Sequence, residues 1–202
     1  MSDLRGFTAL TSQYPVDRLA PFLDMSFRRM TNIIGNHGGA IDKFMGDSIF
    51  ALFTDDQTQS NRSELALLSC AIDMQVAMNA INEYGYTLGL PSIYMGIGLN
   101  VGDVVTCTLG SGIYPEQTVL GDPVNLVARL AGFALRGQVL MSEAVYEAGK
   151  DSIIYFIGAN RSHHHLLPPH LFLYIFHSPA SNALNEQGSL DLIPTSFHCD
   201  KN

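Results

Sequence analysis

The chain is short of positive charge. Eleven Lys and Arg stand against nineteen Asp and Glu, a net charge of −8, whereas a general nucleic-acid binder needs a basic footprint. A small phosphorylated ligand remains compatible, because its site needs only local positive charge and a metal. Cysteine is scarce. Cys70, Cys107 and Cys199 are widely spaced with no CxxC, which excludes a disulfide framework and points to a reducing compartment. No apolar stretch reaches the roughly 18 residues of a membrane span, and Asp3 and Arg5 interrupt the start, so no signal peptide is recognised. A cytoplasmic domain is expected. A GxxxxGK[ST] phosphate loop is missing. Gly96-x-Gly98-x-x-x-Gly102 has the look of a dinucleotide loop, but Asp103 to Cys107 after it reads as a strand and not a helix, which removes that reading. The remaining composition, 47% apolar and 15% charged over 202 residues, is that of a globular domain large enough for a real core.

Periodicity then supplies the elements. Leu19, Phe22, Leu23, Phe27, Met30, Ile33 and Ile34 recur at spacings of three and four, predicting a helix from Pro15-Val16-Asp17 to about residue 36, ended by Gly38-Gly39. Two strands, 40–44 and 48–53, meet at Met45-Gly46-Asp47 as a hairpin. After a polar loop at 55–62, a second helix is predicted from Ser63 to Tyr84, with Leu67, Ala71, Met74, Met78 and Ile81 along its stripe. Strands follow at 93–100, 103–109 and 118–120. A helix starts at Asp122-Pro123, with Asp as cap and Pro in the first turn. A strand at 139–141, a helix at 142–148 and strands at 153–157 and 171–176 complete residues 1–176. Residues 177–202, rich in Ser, Asn and Pro, read as a linker or loose tail. Hairpins mixed with helices make this α+β, with helices packed on a largely antiparallel sheet.

Two acids carry the first chemical signal. Asp3 and Asp47 each stand at a strand end beside a glycine, which is how a fold presents carboxylates to a hard cation. Mg²⁺ is commonly held by one or two carboxylates plus substrate phosphates. Asn125 and Arg129 are four apart and share one helix face. His163-His164-His165 offers less, since consecutive residues on an extended chain point to alternating sides and at most two could share an ion; a solvated loop is expected.

Four stretches taken together resemble the class III adenylyl/guanylyl cyclase catalytic domain: Asp3-Leu4-Arg5-Gly6-Phe7-Thr8, Gly38 to Asp47, Gly96 to Gly102, and Thr118 to Leu130. Their order and spacing fit from residue 2 to about 176. The resemblance implies a ferredoxin-like, mostly antiparallel sheet and a set of roles. Asp3 and Asp47 are expected to hold two Mg²⁺ (or Mn²⁺) ions. The ribose 3′-hydroxyl then attacks the α-phosphorus of ATP and expels pyrophosphate. Backbone N–H groups of Gly6, Phe7 and Thr8 are expected to cradle the terminal phosphates. Arg129 is expected to meet charge at the α-phosphate, and Asn125 to orient the ribose. Lys43 occupies the base-reading position, where a donor suits adenine's ring nitrogens and guanine would need an acid. Thr118, at the second base-reading position, is the residue of a bacterial and soluble-type subgroup. ATP is thus favoured over GTP, and the product is cyclic AMP. Each site is expected to draw on two subunits of a head-to-tail homodimer.

Three departures from the family pattern carry expectations of their own. Only Met1-Ser2 precedes Asp3, so the first strand is expected to be truncated, its neighbours unpaired and Asp3 loosely held, with a sensor or membrane domain expected upstream. Arg161 and the three histidines stand where a phosphate-binding lysine is expected, and a histidine is mostly neutral at pH 7. Cys107 replaces a usual glycine and is expected to strain its strand. These departures keep alternatives in view: a guanylyl cyclase, or a catalytically silent, dimerising cyclase-like module. A diguanylate cyclase fits less well, because the hairpin reads Lys-Phe-Met-Gly-Asp and not a Gly-Gly-acid-acid turn.

Overall fold

The computed structural model describes residues 1–54, 62–110, 115–149 and 172–176. Its strands are β1 (Ser2–Arg5), β2 (Ala40–Met45), β3 (Ser48–Leu52), β4 (Tyr94–Leu99), β5 (Val105–Leu109), β6 (Glu116–Leu120), β7 (Gln138–Ser142) and β8 (Phe172–Phe176). Its helices are α1 (Phe7–Thr11), α2 (Val16–Asn36), α3 (Arg62–Thr87), α4 (Asp122–Phe133) and α5 (143–149). Six strands form one sheet in the order β2-β3-β1-β4-β7-β8, and β5-β6 form a separate ribbon. The β2/β3, β3/β1, β1/β4 and β5/β6 pairs are antiparallel, while β4/β7 and β7/β8 are parallel. The α+β, mostly antiparallel reading therefore holds. The expected strand at 153–157, the loop with Arg161 and His163 to His165, and the tail at 177–202 lie outside the described residues.

Alternation along β4 sorts the helices. Met95, Ile97 and Leu99 point into the main core with Leu19, Phe22, Met30 and Ile34 of α2 and Met74, Met78 and Ile81 of α3. The intervening Gly96 and Gly98 face α4, as the two-residue period of a strand requires. A Cβ on Gly98 would come within 2.4 Å of the Ala131 nitrogen and 2.7 Å of the Val127 carbonyl oxygen. The glycines that look like a nucleotide loop in sequence are thus the floor on which α4 lies. By length and mean hydropathy Leu65–Thr87 could cross a membrane, a property that the search for uninterrupted apolar runs misses. Half of that stretch is buried, and Met74, Met78 and Ile81 pack in the core, so α3 has the character of a core helix.

The central strand corrects one expectation. β1 is short, four residues, but both of its edges are paired. Ser2 lies opposite Ile49 and Ile97, and Asp3 opposite Ser48 and Gly96. Met1 extends the ladder, its nitrogen donating to the Gly98 carbonyl at 2.8 Å and its carbonyl accepting from the Gly98 N–H at 2.8 Å. Leu4 is 2% exposed and anchors the strand in the core. Asp3 is not loosely held, because the backbone on both sides of it is already hydrogen-bonded. Two smaller corrections follow. The residue capping α4 is Gly121, and Asp122 lies in the first turn, where a negative charge favours the helix dipole. Cys107 lies opposite Thr118 in a ladder that runs from Val105 to Leu109 without a register shift, so the expected strain is not seen there.

The glycine floor makes a paired prediction. Gly98→Ala overpacks the α4 contact and should lower Tm by roughly 5 °C, from about 1–3 kcal/mol of strain. Gly35→Ala, inside α2 with open space around its Cβ position, should leave Tm unchanged or raise it by up to a few degrees. Thermal unfolding by circular dichroism of the two variants checks both signs.

Candidate active site

The β2–β3 hairpin and β1 bring the two acids together. Gly46, at φ +62°, turns the chain so that Asp47 precedes Ser48, and Ser48 pairs directly with Asp3. Ser48 Oγ donates to Asp3 Oδ1 at 2.7 Å, and Arg5 Nη2 donates to Asp3 Oδ2. Asp47 is half-buried. Desolvation pushes its pKa up, and the charge of Asp3 pushes it further. Hydrogen bonds from the backbone N–H groups of Asp47 and Leu4, and the Arg5 guanidinium, pull it partly back. Two carboxylates are therefore held close enough to repel each other, with one arginine as the nearby cation.

This donor set fits a hard divalent ion. Among the described residues no cluster of three or more His, Cys, Asp or Glu side chains exists. A closed protein cage is thus absent, and two carboxylates leave coordination positions for phosphate oxygens and water.

A second pair forms across two hairpins. Lys43, on β2, donates from Nζ to Thr118 Oγ1 on β6 at 2.9 Å and to Glu116 Oε1 at 2.9 Å. Asp42 Oδ2 lies 3.6 Å away. The hydrogen bond to Glu116 leads in raising the Lys43 pKa, so the ammonium stays charged through neutral pH. A register irregularity between Ile41 and Lys43 breaks the strict alternation of β2 at this point. Lys43 and Thr118 are 75 positions apart in the chain, and the fold brings these two residues into contact.

Asn125 and Arg129 form the third group. Both are exposed on α4 and line a cleft of about 560 Å³ with Asn100, Asp122, Ser142 and Glu143. Asn100 Nδ2 donates to the Pro123 carbonyl at 3.0 Å and fixes the start of the helix.

The Gly6-Phe7-Thr8 segment opens a short helix that the apolar periodicity does not show. Gly6, at φ +76°, is itself the N-cap of α1, so Phe7 and Thr8 belong to the helix's first turn and do not precede it. The Phe7 side chain is 7% exposed and packs in the main core.

Among the described residues no hydrogen bond or ion pair links the Asp3–Asp47 pair, the Lys43–Thr118 pair and the Asn125–Arg129 face. Sequence reasoning missed Ser48, Arg5 and Glu116. For Arg5 a signal existed: position i+2 on a strand shares a face with Asp3. Ser48 and Glu116 depend on cross-strand register and on a side chain reaching across two hairpins, which no local pattern displays.

The arrangement has counterparts among known proteins. The family model of the adenylate and guanylate cyclase catalytic domain matches residues 1–165. An adenylate cyclase of Anabaena cylindrica is 35% identical over 150 residues, covering 71% of this chain and 28% of that protein. The terminal-differentiation-specific adenylate cyclase of Dictyostelium discoideum is 30% identical over 158 residues, 77% of this chain and 7% of that protein. The chain thus spans less than a third of the length of either relative. Among solved structures, the guanylyl cyclase Cya2 superposes with a TM-score of 0.68 at 37% identity, covering 73% of this chain and 74% of that one. The adenylyl cyclase CyaB of P. aeruginosa gives 0.68 at 32%, covering 74% and 78%. With a model match over most of its length and solved cyclases of the same architecture on both sides of the purine choice, the chain belongs to the adenylate and guanylate cyclase catalytic-domain family.

Proposed function

We propose that this domain is an adenylyl cyclase, converting ATP to 3′,5′-cyclic AMP and pyrophosphate, and that its sites are completed by a second copy of the chain. The observation that carries the adenine assignment is the Lys43–Thr118 contact at 2.9 Å. It sets an ammonium donor beside a hydroxyl, and the two match adenine's ring nitrogen and exocyclic amino group.

In this reading Lys43 donates to the ring nitrogen and Thr118 Oγ1 accepts from the amino group. Asn125 orients the ribose. The first-turn N–H groups at Phe7 and Thr8, which have no intrahelical acceptor, receive phosphate oxygens. As the ribose 3′-hydroxyl gives its proton to solvent and its oxygen bonds to the α-phosphorus, the bond to the bridging oxygen breaks and pyrophosphate leaves, while Arg129 stabilises the charge that builds on the α-phosphoryl oxygens. Asp3 and Asp47 would hold Mg²⁺ or Mn²⁺, and the ion would supply Lewis-acid stabilisation of developing negative charge on oxygen. A homodimer with shared sites fits three groups of which none contacts another directly within one chain. The threonine at position 118 supports membership of the Thr-bearing subgroup, and the low cysteine content fits a cytoplasmic setting.

One observation favours a second reading, guanylyl cyclase. Glu116 sets a carboxylate 2.9 Å from Lys43, and a carboxylate can accept from guanine's N1–H. Turnover of ATP and of GTP by the purified chain, with cyclic nucleotide measured directly, separates the two. The native chain is expected to prefer ATP, and Lys43→Glu should move the ATP/GTP ratio of kcat/KM toward GTP by about tenfold or more, the scale of a charged hydrogen bond. A native chain that already prefers GTP contradicts the adenine assignment.

The acid pair predicts a separation of stability from activity. A carboxyl whose folded pKa is raised favours its neutral form, so ionised Asp47 costs folding stability above that pKa and nothing when protonated. Asp47→Asn should therefore raise Tm of the metal-free protein at pH 7.5, with the gain shrinking as pH falls through the carboxylate range. The same variant should lose more than about 100-fold in turnover, since it removes a direct metal ligand where even an outer partner costs 10–100-fold. Thermal scans at several pH values in EDTA, beside a cyclic-AMP assay, check both halves.

A further inference from the structure

Arg5 ties the metal-binding strand to the helix that carries Asn125 and Arg129. Its Nη2 donates to Asp3 Oδ2 and, at 2.8 Å, to the Ala131 carbonyl. Its Nη1 donates to the Gly132 carbonyl at 2.9 Å. The side chain is 18% exposed, and Nε is buried with no acceptor. Nε sits against Gly96, where a Cβ would approach to 2.9 Å.

Ala131 and Gly132 lie in the last turn of α4, whose carbonyls have no acceptor role within the helix. A cation is favoured at that end. The fork of a guanidinium can serve several acceptors in fixed geometry, which a lysine cannot do. Ser48 holds the other oxygen of Asp3 at 2.7 Å. Rotation of the Asp3 carboxylate therefore breaks contacts on both sides. Asn125 lies seven residues before Gly132, about 10 Å along the helix axis, so a shift at the Arg5 end moves the catalytic face of α4 as a rigid rod.

We propose that Arg5 is a positioning residue: its guanidinium orients the Asp3 carboxylate for a divalent cation and, through the same group, seats the C-terminal end of α4. The proposal rests on the reading of Asp3 as a metal ligand. It adds a residue that touches neither nucleotide nor cation. In the assembled dimer Arg5 would join the acid of one site to the Asn125–Arg129 face of the other, since both belong to one chain.

The test is Mn²⁺ binding in the presence of 3′-deoxy-ATP, which lacks the attacking hydroxyl, followed by loss of the free-Mn²⁺ paramagnetic resonance signal beyond that of a protein-free titration with the same nucleotide, whose triphosphate itself takes up Mn²⁺. Tm is recorded for every variant. Arg5→Gln should weaken Mn²⁺ binding about 10–100-fold, the range for groups that orient a metal ligand. Arg5→Lys keeps the charge but not the fork, and should recover little of that loss. Arg28→Gln, which removes an exposed pair with Asp24, should leave binding unchanged. If Arg5→Gln does not fold, Arg5→Lys carries the comparison, and added guanidinium at millimolar concentration should restore Mn²⁺ affinity to Arg5→Ala. Native Mn²⁺ affinity in Arg5→Lys, or a drop in Tm with no change in binding, overturns the proposal. A native chain without Mn²⁺ affinity removes the ligand role of Asp3 and the proposal with it. ATP turnover by the native chain, measured separately, distinguishes that failure from a failure confined to Arg5.

Discussion

Asp3 is held from two directions, by the Ser48 hydroxyl on β3 and by the Arg5 guanidinium on its own strand, and much of the site is organised around that clamp. β1 has only four residues, yet it lies between β3 and β4 in the middle of the sheet. Through β3 the clamp sets where Asp47 stands. Through Arg5 it reaches the last turn of α4. The cost is electrostatic: two carboxylates share a partly desolvated place, and Asp47 carries a raised pKa because of it. Metal sites are commonly built this way. The repulsion between the two acids is of the kind that a divalent cation would relieve.

The floor beneath α4 is the second constraint. Gly98 lets the helix backbone approach β4 more closely than any side chain would permit, with Ala131 and Val127 directly above it. Leu130, Ala134 and Leu140 then form a small core of their own. Asn125 and Arg129 are left on the outer side of a helix whose distance from the sheet is fixed by glycine and whose end is fixed by Arg5.

Much of this was readable from the residues. The stripe from Leu19 to Ile34, the Gly46 turn and the four-residue step from Asn125 to Arg129 each follow from a local period or a turn preference, and local periods survive folding. The meeting of Lys43 with Thr118 was reachable only through resemblance, because no local rule connects positions 75 apart. Contacts set by register were not readable. Ser48 meets Asp3 because two strands align at that pair, and Glu116 meets Lys43 because a long side chain bridges two hairpins. The expectation of a loosely held Asp3 failed for the same reason: how completely its strand is paired depends on the register with β3 and β4. The glycines at 96 and 98 were recognised as unusual, while the reason, a helix resting on them, starts more than twenty residues downstream.

The proposed homodimer leads to the central claim, that a working site takes its acids from one copy and its base-reading and α4 residues from another. Mixing two inactive variants tests it directly. Asp47→Asn and Arg129→Ala, each inactive alone, are combined in equal amounts, allowed to exchange subunits, and assayed for cyclic AMP. Random pairing makes half of the dimers mixed, each with one intact site of two, so the account predicts recovery to about a quarter of native activity, as closed two-fold symmetry requires. A mixture that stays as inactive as its components, with exchange verified, would contradict a site shared between subunits.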